Sequence, residues 1–435
     1  MKKRLFGSLL AAVISASALG QSGSQSNAIS PYSQYGMGLL ADPSQGFNRG
    51  MGGTGLGMRD GTLVNTLNPA SYSAVDSLTM LFDAGLSLQL TNFKENGTSV
   101  NARKGDFDYA VALFRVRRHL GVSLGLLPFS SVGYSYTTSN YLNTSIGSMT
   151  ESYHGSGGFH QAFIGAGWNP LKPLSVGFNL AYLWGNYNRS VASAAASTNA
   201  LSKVYKASVS SYNLTVGLQW QQPLGRKDAL TVGATWGLGH KLSADPTCDI
   251  INTNTSTLVS DTTSFAISNG LELPASYGIG LAWQHDGKLT VAADFTLQKW
   301  GSTSFPNYDD DLRQYRLKDD LLTDRKRLSV GADYVADPQH PTSYLKHVHV
   351  RLGASYATPY YKINGHDGPK ELGVSAGLGL PLLSKWNINA AMRPVLNISA
   401  QWVHTSATDF ITDNTFRINI GLTFNERWFA KWRIN

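Results

Sequence analysis

From Leu78 onward the chain alternates apolar and polar residues with period two, over and over. In LTVAADFTLQ, Leu289, Val291, Ala293, Phe295 and Leu297 share one face, while Thr290, Ala292, Asp294, Thr296 and Gln298 share the other. Successive side chains of an extended strand point to opposite sides, so this stretch reads as a strand with two unlike faces. One such segment suits a soluble β-sandwich as well as a membrane barrel. The repetition is what narrows the choice. Leu174, Val176, Phe178, Leu180, Tyr182 and Trp184 alternate with Ser175, Gly177, Asn179 and Gly185. Tyr212 to Trp220 and Phe416 to Asn425 repeat the pattern. The apolar faces suit acyl chains and the polar faces a watery lumen.

Counting gives about fourteen segments, with cores at 78–93, 107–116, 119–138, 150–168, 174–188, 204–221, 229–243, 264–284, 289–301, 325–336, 347–361, 369–382, 386–405 and 415–428. The connections after even-numbered segments are mostly short, such as VRRH, NPLKPL, QPLGRKD and QHDGK. Those after odd-numbered ones are often longer and polar, as in 187–203, 243–264 and 302–324; the turn at 337–346 and the loop at 362–368 break the rule. Short turns at one end, longer loops at the other and an even count describe an antiparallel transmembrane β-barrel of the outer membrane of a Gram-negative cell, with both termini in the periplasm. Closure also satisfies every backbone polar group in lipid, which an open sheet cannot do. Trp168, Trp184, Trp300, Trp402, Trp428 and Trp432 are placed as an interfacial girdle.

The opening residues, MKKRLFGSLLAAVISASALG, have a basic start, an apolar run and small residues at Ala18 and Gly20. They read as a signal peptide over 1–20, and no later apolar run approaches the roughly 20 residues of a spanning helix. The chain holds 44 Gly, 20 Tyr and 10 Trp with only 15% charged residues. The formal charge of +8 is scattered over connections, so nucleic acid is not an expected partner. The lone Cys248 excludes an intramolecular disulfide and reads as a loop thiol.

Residues 21–77 are Gly- and Ser-rich and lack sustained periodicity, yet they carry Tyr32, Tyr35, Met37, Phe47, Met51 and Leu67, which a disordered tail does not need. They are expected to form a plug in the lumen, followed by the barrel over 78–429 and a periplasmic tail over 430–435. The glycine-rich run GMGGTGLG, Asp60, and then Asn68-Pro69-Ala70 before the first strand resemble the N-terminal hatch of the outer-membrane long-chain fatty-acid and hydrophobic-compound transporters (FadL/TodX type). LELPASYGIGLAWQHDGKLTVAADFTLQKW at Leu271 to Trp300 is similar to that family's mid-barrel pattern. The resemblance implies a hatch-blocked lumen, apolar ligands held inside, and sideways release into the bilayer through a gap at a kink in the third strand. That segment here is HLGVSLGLLPFSSVGYSY. Pro128 has no N–H to give to the ladder, which places a candidate lateral opening at Pro128 and Phe129; a bulge that only shapes the wall is the competing reading. Two departures stand out. Ser71 follows Asn-Pro-Ala where the family has Gly, and SPYSQYGMG at Ser30 to Gly38 extends the hatch.

Other constellations have plainer readings. GMGGTGLG lacks the strand–helix context of a phosphate loop and reads as hatch turns. His347 and His349 share a strand face near His340, but no further ligand is evident, and no metal or cofactor is expected. Asp309, Asp310 and Asp311 with Arg313 and Arg316 read as a solvated loop with internal ion pairs. His154 and His160 flank Ser156 without a third member, so no catalysis is expected. Two functions follow: passive uptake of hydrophobic small molecules or lipids such as long-chain fatty acids, or a non-transporting barrel subunit of an outer-membrane protein assembly or secretion complex, with other envelope proteins as partners.

Overall fold

The computed structural model describes residues 30–427, apart from 78, 96, 144–146, 196–198, 338–342, 383–393 and 409. The expected signal peptide and C-terminal tail, with Trp428 and Trp432, lie outside the described residues, as does His340.

Fourteen antiparallel strands close into one barrel: β1 (Thr79–Glu95), β2 (Thr98–Arg117), β3 (Leu120–Asn143), β4 (Gly147–Leu171), β5 (Leu174–Ala195), β6 (Ala200–Leu224), β7 (Asp228–Gly237), β8 (Ser276–His285), β9 (Leu289–Gln298), β10 (Arg325–Val335), β11 (His349–Ala357), β12 (Lys370–Pro381), β13 (Val395–Ser406) and β14 (Thr412–Arg427). Each pairs with its neighbours in sequence, and β1 meets β14 from Thr79↔Arg427 to Lys94↔Thr412. The ring therefore closes around its circumference, except where the β2–β3 ladder stops at Ala110↔Leu126.

Period two decides which way each residue faces. Val291 and Phe295 of β9 are outward and exposed, whereas Ala292 and Asp294 are inward and buried. Leu86, Leu88 and Leu90 of β1, Ile164 of β4, and Phe178, Leu180 and Tyr182 of β5 continue the outward apolar band. No helix among the described residues is long and apolar enough to cross a membrane.

Several segment boundaries differ from the sequence reading, the eighth most of all. The run placed at 264–284 divides: Ser260–Ala266 pairs with Thr247–Thr253 in a hairpin, and only from Ser276 does the chain enter the wall. Pro274, which cannot donate to a ladder, separates the two. That hairpin extends the edge of β6, Thr247↔Lys206 to Thr253↔Ala200, where β7 has already stopped. Cys248 is accordingly buried in a strand and is not a loop thiol. Trp300 is 1% exposed, in the short helical turn after β9, packed against Tyr360. It belongs to the interior and not to the girdle, whereas Trp168 and Trp402 are exposed on the outer face.

Candidate functional site

Much of the segment between Ser30 and Asp76 packs against strands around the ring, and the wall is shaped to its backbone. Asn68 caps the turn Pro69–Ala74: its Oδ1 accepts the Ala70 N–H at 3.1 Å, and its Nδ2 donates to the Leu56 carbonyl at 2.9 Å and to the Leu218 carbonyl of β6 at 3.1 Å. Pro69 suits the first helical position because no N–H is needed there. The Pro69 carbonyl then rests on Gly167 of β4, where a methyl group would come within 2.5 Å of it, and on Gly177 of β5. Gly233, Gly353 and Gly421 face Leu56, Met51 and Gly46 in the same way, so inward glycines on strands around the ring admit the inner segment's main chain. Ser71, the departure from the family's Gly, donates its hydroxyl to the Asn65 carbonyl at 3.0 Å.

Charge fixes the same segment. Arg49 Nη1 lies 2.6 Å from Asp108 Oδ2 of β2 and 2.8 Å from Asn419 Oδ1 of β14, while Arg49 Nε donates to the Ser44 carbonyl. Asp42 faces Arg327 of β10 at 3.7 Å. Burial alone would raise the Asp42 pKa, but Arg327 and Arg49 hold its carboxylate well below the usual range. In GMGGTGLG, the N–H groups of Gly55 and Leu56 both donate to Asp294 Oδ2 of β9, at 2.6 and 2.9 Å. The glycine run cradles an anion, and the anion is the barrel's own carboxylate.

Nearer the long-loop end, SPYSQYGMG fills the interior. Tyr32 and Met37 are buried in one apolar cluster with Val132, Tyr134, Phe159, Leu183, Trp300, Tyr360 and Tyr361. Tyr35 stacks on Tyr361 at 5.1 Å. Arg189 donates to the Gly36 carbonyl at 2.7 Å, Tyr360 to that of Gly38, and Ser130 to that of Met37. Ser30 bonds Asp413, at the long-loop start of β14. The first described residue thus sits far from the short-turn end, where Thr79 and Arg427 meet.

The wall is interrupted at Pro128. β2 and β3 pair only from Ala110↔Leu126 to Arg117↔Leu120. Beyond Ala110, β2 stays with β1 as far as Glu95↔Thr98, β3 stays with β4 as far as Asn143↔Gly147, and the two part. A bulge between Pro128 and Ser130 reverses the alternation: Ser123 and Leu127 are buried before it, and Ser130, Val132 and Tyr134 after it. Such an extra residue bends a strand and ends local pairing. The freed edge of β3 is covered from within, Leu39↔Ser131 and Leu40↔Ser130, with the Ala41 N–H donating to the Phe129 carbonyl at 2.9 Å. A cavity of about 830 Å³ lies behind the break, touching Asp106, Phe107, Pro128 and Ser130, with Asp42, Arg49, Arg327 and Arg417 in its lining.

His349 pairs with Asp333 at 3.0 Å, and no metal-ligating group of three occurs among the described residues. Ser156, His154 and His160 all border the cavity. The acidic loop forms ion pairs: Asp309 with Arg316 at 2.7 Å and with Lys318 at 3.2 Å, and Asp310 with Lys203 at 2.5 Å.

A sequence model of the family described as BamG matches residues 1–435. The chain belongs to the BamG family. Its fold is shared with solved structures: CymD, a monoaromatic hydrocarbon channel (TM-score 0.59, 14% identity, 90% of this chain and 99% of that one), a FadL homologue of Pseudomonas aeruginosa (0.61, 11%, 88% and 98%), and the toluene transporter TbuX of Ralstonia pickettii (0.58, 12%, 87% and 97%). No curated protein matches it. The resemblance to the FadL/TodX type is thus a resemblance of outer-membrane barrel fold, and the BamG family is a separate one.

Sequence reasoning missed the pairing of Arg49 with Asp108 and the aromatic closure by Tyr32 and Tyr35. For the first, one partner gave a signal. Arg49 is an ionisable residue at the edge of the Gly-rich run, whereas Asp108 simply continues the alternation of Asp106, Phe107 and Tyr109.

Proposed function

We propose that this BamG-family barrel is a subunit of an outer-membrane protein assembly machinery, anchored with its short turns in the periplasm and its long loops outside. The observation that carries this reading is the filled interior. The chain's own Tyr32, Tyr35 and Met37 occupy the apolar part of the lumen, and the open part sets the charges of Asp42, Arg49, Arg327 and Arg417 among apolar neighbours such as Leu40, Phe107, Val374 and Val403. A conduit for hydrophobic compounds needs an apolar path with few polar groups. A barrel that presents surfaces to other proteins does not, and the family membership supports this reading.

Uptake of hydrophobic small molecules such as fatty acids, with lateral exit at Pro128 and Phe129, is the second reading. The break in the wall at Leu126 and the fold shared with hydrocarbon channels favour it. Native mass spectrometry of the protein extracted from its own membrane in mild detergent separates the two. A stable assembly with other envelope proteins and no small ligand is the expected outcome. A lone barrel carrying adducts of fatty-acid mass would establish the channel instead.

A further inference from the structure

The break between β2 and β3 leaves two strand edges, and the described residues cover only one. The β3 edge is taken by Leu39–Leu40 and Ala41. The β2 edge from Thr98 to Asp108 has its β1 side paired, and among the described residues no ladder forms on the other side. Alternate residues of any strand aim their N–H and C=O groups at that side. Part of this edge lies at the depth of the apolar band, because Gly105 pairs with Leu88 and Arg103 with Leu90, both outward and exposed. Unpaired backbone groups at that depth cost several kcal/mol each in hydrocarbon.

We infer that the β2 edge from Thr98 to Asp108 receives an extended segment of a partner protein by strand addition, a step that rests on the assembly-subunit reading. Three observations select this occupant. An acyl chain has no donors or acceptors to offer the ladder, and the space behind the edge holds Asp106, Arg49 and Arg417. The same break already accepts a strand on its other lip, from the chain's own Leu39–Leu40. A second copy of this chain is disfavoured by charge: antiparallel self-pairing across Thr98–Asp108 is centred on Arg103 and sets it against its own equivalent, and like charges directly opposite destabilise a ladder. Lys104 is held by Asp106 at 2.7 Å, whereas outward Arg103 is left for an acidic residue on the incoming segment. Strand addition draws affinity from main-chain bonds and specificity from alternate side chains.

The test compares the full-length barrel alone in detergent with the assembly purified from its own membrane. Hydrogen exchange of the amides from Thr98 to Asp108 is expected to slow at least tenfold in the assembly. A photo-crosslinker placed in turn at Ser99, Val100, Asn101, Ala102 and Arg103 is expected to label one peptide of one partner with period two, and Arg103→Glu to weaken that labelling. Lipid-only adducts, labelling of a second copy of this chain, or unchanged exchange within an intact assembly would each overturn the inference and leave the assembly reading standing. Absence of any co-purifying protein would overturn that reading itself.

Discussion

Arg49 shows how one side chain can hold the inner segment against two walls, since it reaches Asp108 on β2 and Asn419 on β14 while 3% exposed. Removing one member of a buried pair strands the other charge, at a cost of about 3–5 kcal/mol, and removing both relieves much of it. Arg49→Met is therefore expected to lower the urea midpoint of the barrel in detergent, and Arg49→Met with Asp108→Leu to recover a large part. A double variant no more stable than the single one would show that the pair does not hold the segment. Glycine gives a complementary case. A methyl at Gly177 would overlap the Pro69 carbonyl, whereas at Gly105 its nearest neighbour is Leu88 Cδ2 at 3.5 Å. Overpacking costs about 1–3 kcal/mol, so Gly177→Ala is expected to destabilise while Gly105→Ala changes little in the same unfolding measurement. Such contacts explain why this part of the interior was poorly legible in sequence. Asn68-Pro69-Ala70 marked a turn, but which wall glycines would lie under it depends on a register that no local pattern contains.

At the scale of elements, the strands were legible because each carries its own two-faced alternation, and the short turns fixed their order. Trp300 was misplaced for a physical reason: an aromatic residue at a strand end reads as interfacial, yet the helical turn after β9 carries it to Tyr360. Pro128 was legible as an interruption, and both the bulge and the loss of pairing occur there. Val in its place supplies a backbone N–H, so Pro128→Val is expected to lengthen the β2–β3 ladder past Leu126 and slow amide exchange in Phe107 and Asp108. Unchanged exchange would assign the break to the inner strand at Leu39–Leu40. The loop hairpin formed by 305–309 and 314–318 makes a pH prediction. Hydrogen bonding from Arg316 lowers the Asp309 carboxyl to about 2, below the ordinary Asp value of about 3.9. A depressed folded-state pKa gives stabilisation that is complete above the unfolded value and lost as pH falls through the folded one. The protection of this hairpin's amides, taken relative to the intrinsic exchange rate at each pH, is thus expected to fall between about pH 4 and pH 2 and to stay flat from pH 5 to 8.

For the whole molecule, the question is whether the interior of this fold is a passage or a filled space, and fold alone does not decide it. CymD, TbuX and the FadL homologue share the wall, at 11–14% identity, but a wall is compatible with either interior. In this chain the segment Ser30 to Gly38 places Tyr32 and Met37 in one apolar cluster with Val132, Phe159, Leu183 and Trp300. If the extension is what closes the apolar part of the lumen, shortening its side chains should create a binding site where the native protein has none. Tyr32→Ala with Met37→Ala removes two side chains at most 1% exposed, and cavities of that kind lined by apolar groups stay dry and accept small apolar molecules. The double variant is expected to bind a fluorescent fatty acid in detergent at least tenfold more tightly than the native barrel. Equal, tight binding by both would mean that apolar ligands enter past an intact extension, and the channel reading would then displace the assembly subunit.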